Sequence, residues 1–309
     1  EIGMNHAGEI RPLTKMVRPH AAIITTVEAV HLEHFPSVAA IADAKGEIFE
    51  GLLPGGAAII KYDNPFADRL KAIAETFGAK PVTFGFDLNA DVFGSGFCAS
   101  DEGSDMIVEV ARKRFPVHLA MPGRHIAENA LGVAAAIDAI GADVGLALAA
   151  LADLAPPTGR GARSLLSIGG GEALLIDESY NANPASMKAA LATLGSVPRQ
   201  KYVRRIAVLG DMLELGSEAP ALHSGLKSAV DAAEVDLVFA CGPHMKGLYD
   251  ALPAAKKGGY SLTALPLETL LADHLKAGDV VMVKASNGTR LGAVVAALKS
   301  QFGKDVPAA

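Results

Sequence analysis

Ala173-Leu174-Leu175-Ile176-Asp177-Glu178-Ser179-Tyr180-Asn181-Ala182-Asn183-Pro184 passes from four apolar residues through a polar run to an Asn-Pro pair. The uninterrupted apolar run at its start has the signature of a strand buried on both faces. Asn183 followed by Pro184 is a favourable N-cap and first-turn pair, so a helix opens there. A buried strand, a polar turn and a helix start in direct succession begin a parallel α/β unit.

The same alternation continues towards the C-terminus. Apolar runs at Ile206 to Leu209, Leu237 to Ala240 and Val280 to Val283 are further strand candidates, with helices expected at about 184–195, 219–233, 267–276 and 290–300. That is a doubly wound, Rossmann-like pattern. Towards the N-terminus, Leu154-Ala155-Pro156-Pro157-Thr158-Gly159 cannot continue a helix and reads as a linker. The expected domains are therefore 1–155 and 156–309, both α/β.

In the first of these, Ala21 to Val27 and Ala57 to Tyr62 read as strands, and Ser37 opens a helix to about Phe49. Asn64-Pro65 opens another helix, with Phe66, Leu70, Ile73, Ala74 and Phe77 at helical spacing. Pro81 to about Leu119 reads as a small antiparallel excursion. Gly123-Arg124-His125 then leads into a helix with Ile126, Ala130, Val133, Ile137 and Ile140 on one face.

Composition narrows the function classes. Half of the 309 residues are hydrophobic, which supplies sizeable cores and excludes a mostly disordered chain. Lys and Arg number 28 against 34 Asp and Glu, a formal charge of −6, which argues against coating nucleic acid or an anionic membrane. No apolar run approaches the roughly 20 residues that span a bilayer. Cys98 and Cys241 lie far apart in no metal-ligand spacing, so a reducing, cytoplasmic setting is expected. The opening Glu1-Ile2-Gly3-Met4 lacks an initiator and reads as a chain cut inside an element.

In open α/β sheets ligands gather beyond the carboxyl ends of strands. After Ile176, the run Asp177 to Asn183 serves either as a turn and helix cap or as a ligand-facing loop. After Val27, the residues Glu28, His31, Glu33 and His34 form either a solvated loop or a divalent-cation site, without the H-E-x-x-H spacing of zinc hydrolases. Lys45 falls on the apolar stripe Val38, Ile41, Ala42, Ile48, Phe49. It either snorkels its amine into water or is held inward near phosphates, a cation or a covalent modifier. Gly159-Arg160-Gly161-Ala162-Arg163 is either a basic linker or an anion clamp on a flexible loop. No Walker-type G-x-x-x-x-G-K-[ST] is present, Gly225-Leu226-Lys227-Ser228 having the wrong order, and no complete G-x-G-x-x-G.

Several strings occur in a telling order: Glu1 to Ile10, Val30-His31-Leu32-Glu33, Ala44-Lys45-Gly46-Glu47-Ile48-Phe49, and Gly123-Arg124-His125 with Asn129. They are followed by Asp177 to Pro184, Leu209-Gly210-Asp211-Met212-Leu213-Glu214-Leu215-Gly216 and Val283 to Arg290. Over nearly its whole length the chain resembles the Mur ligases, and among them the MurF type.

The resemblance implies an ATP-dependent ligase that joins D-alanyl-D-alanine to UDP-N-acetylmuramoyl-tripeptide through an acyl phosphate, in peptidoglycan precursor synthesis. It implies a central ATPase domain lacking its P-loop portion, then a C-terminal Rossmann-like domain that takes the dipeptide. The fragment alone is expected to be inactive.

By the same resemblance Glu1 and His31 match positions that hold Mg²⁺, and Lys45 matches a lysine that is carbamylated. Lys45, His31 and Arg163 are then the catalytic set, with Arg163 near the γ-phosphate. Asn129 and His125 match the adenine side, and Asp177, Tyr180 and Asn181 the ribose side. Asn183, His223, Lys284 and Ser286 fall to the dipeptide side. Ile126 departs from the family's second Asn, and Glu178 and Ala285 replace the commoner Asp and Gly.

A monomer is expected, with neither nucleic acid nor membrane as partner. Two other readings compete: a binding module that holds nucleotide or dipeptide without turnover, and a metal hydrolase on the Glu28/His31/Glu33/His34 cluster. A related ligase of the Mur or folylpolyglutamate type is a nearer alternative.

Overall fold

The computed structural model describes residues 1–29, 33–100 and 103–303, and the chain divides into two compact units, Glu1–Leu154 and Ala155–Ala309. The first holds α1 (Ile10–Val17), β1 (Ala21–Ile24), α2 (Val38–Gly46), β2 (Ala57–Lys61), α3 (Ala67–Thr76) and β3 (Lys80–Gly85). These are followed by β4 (Val92–Ala99), β5 (Ser104–Val110), β6 (Lys113–Leu119), α4 (Arg124–Ala139) and α5 (Val144–Ala149).

The six strands lie in sequence order, with β1 to β4 mutually parallel and β5 and β6 added antiparallel. The expected excursion thus begins later than Pro81, because β3 pairs parallel with β2 before the chain reverses. Alternate strand residues point to opposite faces. Ala22, Ile24, Ala58 and Ile60 pack under α2 and α3, whereas Ala57, Ile59, Phe84 and Val108 pack under α4.

Ser37 caps α2 by accepting from the Ala40 N–H (3.1 Å), and the helix ends at Gly46 in a 3-10 turn, Glu47–Gly51, rather than running on to Phe49. Gly46 lets Ile73 pack closely, since a Cβ there would sit 2.9 Å from its Cδ1 and push that side chain aside. Asn64 does not cap a helix at Pro65. Its amide donates to the Val27 carbonyl (3.2 Å), tying the end of the first strand to the start of α3.

The second unit runs β7 (Ala162–Ile168), β8 (Gly171–Glu178), α6 (Pro184–Ser196), β9 (Arg204–Gly210), α7 (Ala219–Ser224) and α8 (Lys227–Ala232). It continues through β10 (Leu237–Cys241), α9 (Met245–Ala251), β11 (Lys257–Ser261), α10 (Ala264–His274), β12 (Asp279–Lys284) and α11 (Gly292–Phe302). The strand order is β11-β10-β9-β12-β8-β7, parallel except for β7.

Helices α6 to α9 cover one face and α10 and α11 the other. This follows from right-handed crossovers: the chain moves one way across the sheet from β8 to β11, then reverses to place β12 between β8 and β9. The reversal point, at the carboxyl ends of β9 and β12, is where a doubly wound sheet binds its ligand.

Two strands escaped the pattern reading. β7 pairs with β8 through a Gly169-Gly170 turn whose residues both have positive φ (56° and 81°). Arg163 therefore sits on a strand, not on a flexible loop. β11 is Lys257-Gly258-Gly259-Tyr260-Ser261, with no apolar run to announce it. Gly258 is required there because a Cβ on it would lie 2.5 Å from the Phe239 ring. The expected helix at 219–233 is broken at Gly225-Leu226 into α7 and α8.

Candidate active site

In the first unit, a cavity of about 770 Å³ runs beside β1 and is lined by the arm Glu1 to Asn5, by Ile10 and Val17, by Ala21 to Thr25, and by Lys45 and Ile48. Glu1 and Lys45 thus share one cavity. The segment that follows the arm is tied to the turn after α2 by two bonds: the Gly8 N–H donates to Glu47 Oε1 (2.7 Å), and Thr14 Oγ1 donates to the Ile48 carbonyl (2.7 Å). Glu47 was not singled out from sequence, though it stands beside Lys45 in the quoted string.

Lys45 is half-buried, and burial pulls its amine below the ordinary lysine value. The cause is desolvation, which disfavours the charged form. His31 lies outside the described residues. Glu28 accepts from Thr26 Oγ1 (3.1 Å), and His34 stacks on His6 with ring centroids 4.6 Å apart. Among the described residues no group of three or more His, Cys, Asp or Glu is placed to hold a metal, and His31 of the expected cluster is not one of them.

His125 and Asn129 lie one turn apart at the start of α4, on one side of it. The helix opens at Gly123, whose φ of +126° favours glycine and whose N–H donates to Ser104 Oγ (3.1 Å). The Arg124 guanidinium sits 4.1 Å from the Phe86 ring centroid, and Lys61 pairs with Glu128 at 2.8 Å, which fixes this first turn. Ile126 packs against the core under the sheet, so an apolar residue suits that position.

In the second unit, Asp177 closes its own loop. One oxygen accepts from Ser179 N–H (3.1 Å) and Oγ (2.6 Å), and the other from the Gly159 N–H (3.2 Å). Tyr180 and Asn181 are exposed, with the Arg160 guanidinium 4.7 Å above the Tyr180 ring. Asn183 caps α6 in a reciprocal box with Ser186 (2.8 and 3.0 Å). Lys284, 3% exposed, donates to the Asn181 carbonyl (3.0 Å) and faces Glu178 at 3.4 Å. Burial lowers its pKa, and Glu178 opposes that shift.

At the carboxyl ends of β9 to β12 lies a second cavity of about 640 Å³. Asp211, Cys241, His244, Glu268 and Arg290 supply its polar groups, and Leu213, Leu262, Leu265 and Val294 its apolar walls. Burial and the nearby Asp211 push the Cys241 thiol up to about 11, so it is protonated at neutral pH. Of the four residues assigned to the dipeptide side, none lines this cavity. Ser286 bridges Leu213 N–H (3.0 Å) and the Ala182 carbonyl (3.2 Å), and His223 is fully buried with both ring nitrogens engaged. The buried ring of His223 bonds the backbone of the loop that forms one wall of this cavity. The cavity's own residues were findable, since they follow strands, except around Leu262 to Leu265, where β11 had gone unseen.

Residues 1–137 match the Mur ligase middle domain, and residues 163–287 match the glutamate ligase domain of Mur ligases. The chain belongs to the Mur ligase family. It is 31% identical over 296 residues to the UDP-N-acetylmuramoyl-tripeptide–D-alanyl-D-alanine ligase of Rickettsia prowazekii, covering 96% of this chain and 64% of that relative. It is 34% identical over 302 residues to the enzyme of the same name from Escherichia coli, covering 97% and 64%. Among solved structures, MurF from Acinetobacter baumannii aligns with this Mur ligase chain at a TM-score of 0.83 and 27% identity, covering 96% of this chain and 63% of that one. MurF from Thermotoga maritima, solved in complex with ADP, shares the fold at a TM-score of 0.82 and 23% identity. The chain spans just under two thirds of the length of these curated relatives.

Proposed function

We propose that this chain is part of an ATP-dependent ligase that joins D-alanyl-D-alanine to UDP-N-acetylmuramoyl-tripeptide in peptidoglycan precursor synthesis, acting as a cytoplasmic monomer. The observation that carries this reading is the cavity shared by Glu1 and Lys45, in a chain whose named relatives are ligases of this type. No helix among the described residues is long and apolar enough to cross a membrane, which is compatible with that setting.

In the reaction the tripeptide carboxylate displaces ADP from the γ-phosphate of ATP to give an acyl phosphate. The dipeptide amine then forms the C–N bond, inorganic phosphate leaves with the C–O bonding pair, and the amine gives up a proton. Both steps gather negative charge at crowded oxygens, which fixed cations and donors stabilise.

Glu1, and Lys45 as a carbamate, would supply the hard oxygen donors that Mg²⁺ prefers, with His31 joining them. The cavity fits that assignment: its lysine is partly desolvated and so more readily neutral, as carbamylation needs. Mg²⁺ would supply charge neutralisation at the phosphates. His125 and Asn129 are assigned to adenine, Asp177, Tyr180 and Asn181 to ribose, and Arg163 to the γ-phosphate. In the second unit the Arg290 cation suits the dipeptide carboxylate, Asp211 and Glu268 suit its ammonium, and the leucine walls suit its methyl groups. Asn183, Lys284 and Ser286 are assigned to the dipeptide side, with Ser286 holding the N–H of Leu213, a lining residue of that cavity.

The test uses the full-length protein. Phosphate release should require ATP, Mg²⁺, tripeptide substrate and dipeptide together. Lys45→Ala should abolish it, with partial rescue by a short carboxylic acid in solution. Nucleotide binding without phosphate release under any combination would leave a binding module instead, and full activity in Lys45→Ala would remove the carbamate.

A further inference from the structure

Three consecutive backbone N–H groups after β9 donate to three different elements. Asp211 N–H bonds the Cys241 carbonyl at the end of β10 (3.1 Å), Met212 N–H bonds His223 Nε2 on α7 (2.9 Å), and Leu213 N–H bonds Ser286 Oγ beyond β12 (3.0 Å). Asp211 itself uses its carboxylate to hold the first turn of α9, accepting from His244 N–H (3.2 Å) and Met245 N–H (2.8 Å). Asp211 and Leu213 line the second unit's cavity, so these bonds set the position of one of its walls.

Among the described residues, His223 is the one titratable side chain that accepts from this loop's backbone. Its ring is 0% exposed. Nδ1 lies 2.6 Å from the Ala219 carbonyl, an acceptor, so Nδ1 carries the hydrogen and Nε2 is the lone-pair nitrogen facing Met212 N–H. Only the neutral ring makes both bonds, because imidazolium has no acceptor.

We propose that His223 is a positioning residue of the dipeptide cavity: its neutral Nδ1–H tautomer fixes the Asp211–Leu213 wall, and protonation releases it. This rests on the reading that the cavity takes the dipeptide. The groups facing the ring are Asp211, whose oxygen lies 3.9 Å from Nε2, and His244 of α9, whose ring centroid lies 5.3 Å away. α7 adds no other charge, Glu218 of the preceding 3-10 turn is exposed, and Lys246 of α9 is paired with Asp250. Burial holds the His223 pKa below the ordinary imidazole value, outweighing the Ala219 hydrogen bond and the attraction of Asp211, with His244 acting in the same direction as burial. The release therefore begins on the acid side of the ordinary imidazole range, and the wall is intact above it.

The experiment measures D-alanyl-D-alanine binding to this chain by calorimetry across pH, with amide hydrogen exchange at Met212 and Leu213 alongside. His223→Ala should weaken binding about tenfold and strip protection from the Met212 amide, the cost of orphaning one buried donor. His223→Gln, which keeps an acceptor, should restore most of the affinity and remove the acid-side loss seen in the unsubstituted chain. Equal affinity in all three proteins, or an acid-side loss that persists in His223→Gln, would overturn the proposal. A chain that binds no dipeptide at any pH, with Met212 protected as described, would instead sink the cavity assignment and leave the clamp standing.

Discussion

Single residues decide how the second unit's cavity is shaped. Gly242 follows β10 with φ +106°, and a Cβ there would run into the Asp211 carboxylate. Gly242→Ala should cost about 1–3 kcal/mol through backbone strain and a displaced carboxylate. The expected outcome is a lower melting temperature and weaker dipeptide binding, read by scanning calorimetry and titration. At the same scale, chemistry and sequence separate clearly. Lys45 stood out because an amine on an apolar stripe is a mismatch visible in the periodicity alone. His223 stood out only by resemblance, and nothing in its sequence neighbours says that both nitrogens are consumed inside the fold. That depends on Met212 and Ala219 arriving at the same ring.

Elements were legible in proportion to their apolar content. β8, β9, β10 and β12 are buried on both faces and carry unbroken aliphatic runs. β7 and β11 sit at the two ends of the strand order, with fewer buried positions and, in β11, two glycines. Their positions rest on pairing to a neighbour, which no local pattern reports. The hairpin between β5 and β6 is a further case. Its two turn residues, Ala111 and Arg112, both have positive φ (50° and 64°), a mirror-image turn that normally takes Asn-Gly. Tertiary pairing along the whole ladder holds them there against roughly 1 kcal/mol each. Replacing the pair by Ala111→Asn with Arg112→Gly should stabilise the chain by about 1–2 kcal/mol. A denaturant titration with an unchanged or lowered midpoint would contradict this.

At the level of the molecule, every core cluster among the described residues lies wholly within one unit: one on each face of the first sheet, and one on each face of the second. Each unit therefore has the buried apolar surface of an independent folding domain. Residues 155–309 expressed alone should give a dispersed amide spectrum and a cooperative melt, and a collapsed or molten product would refute that independence.

The α/β class, the family resemblance and the residues that look chemically out of place were readable along the chain, because apolar periodicity, helix caps and motif strings are local properties. Tertiary structure alone decided which of those residues share a cavity, which are spent inside the fold, and which strands complete the sheets. Glu1 and Lys45 line one cavity because α1 and the Gly8–Glu47 bond hold the N-terminal arm alongside β1. His223 leaves the cavity only because the β9 loop and α7 close on it. Both outcomes are set by long-range packing and desolvation, which depend on neighbours that are remote along the chain.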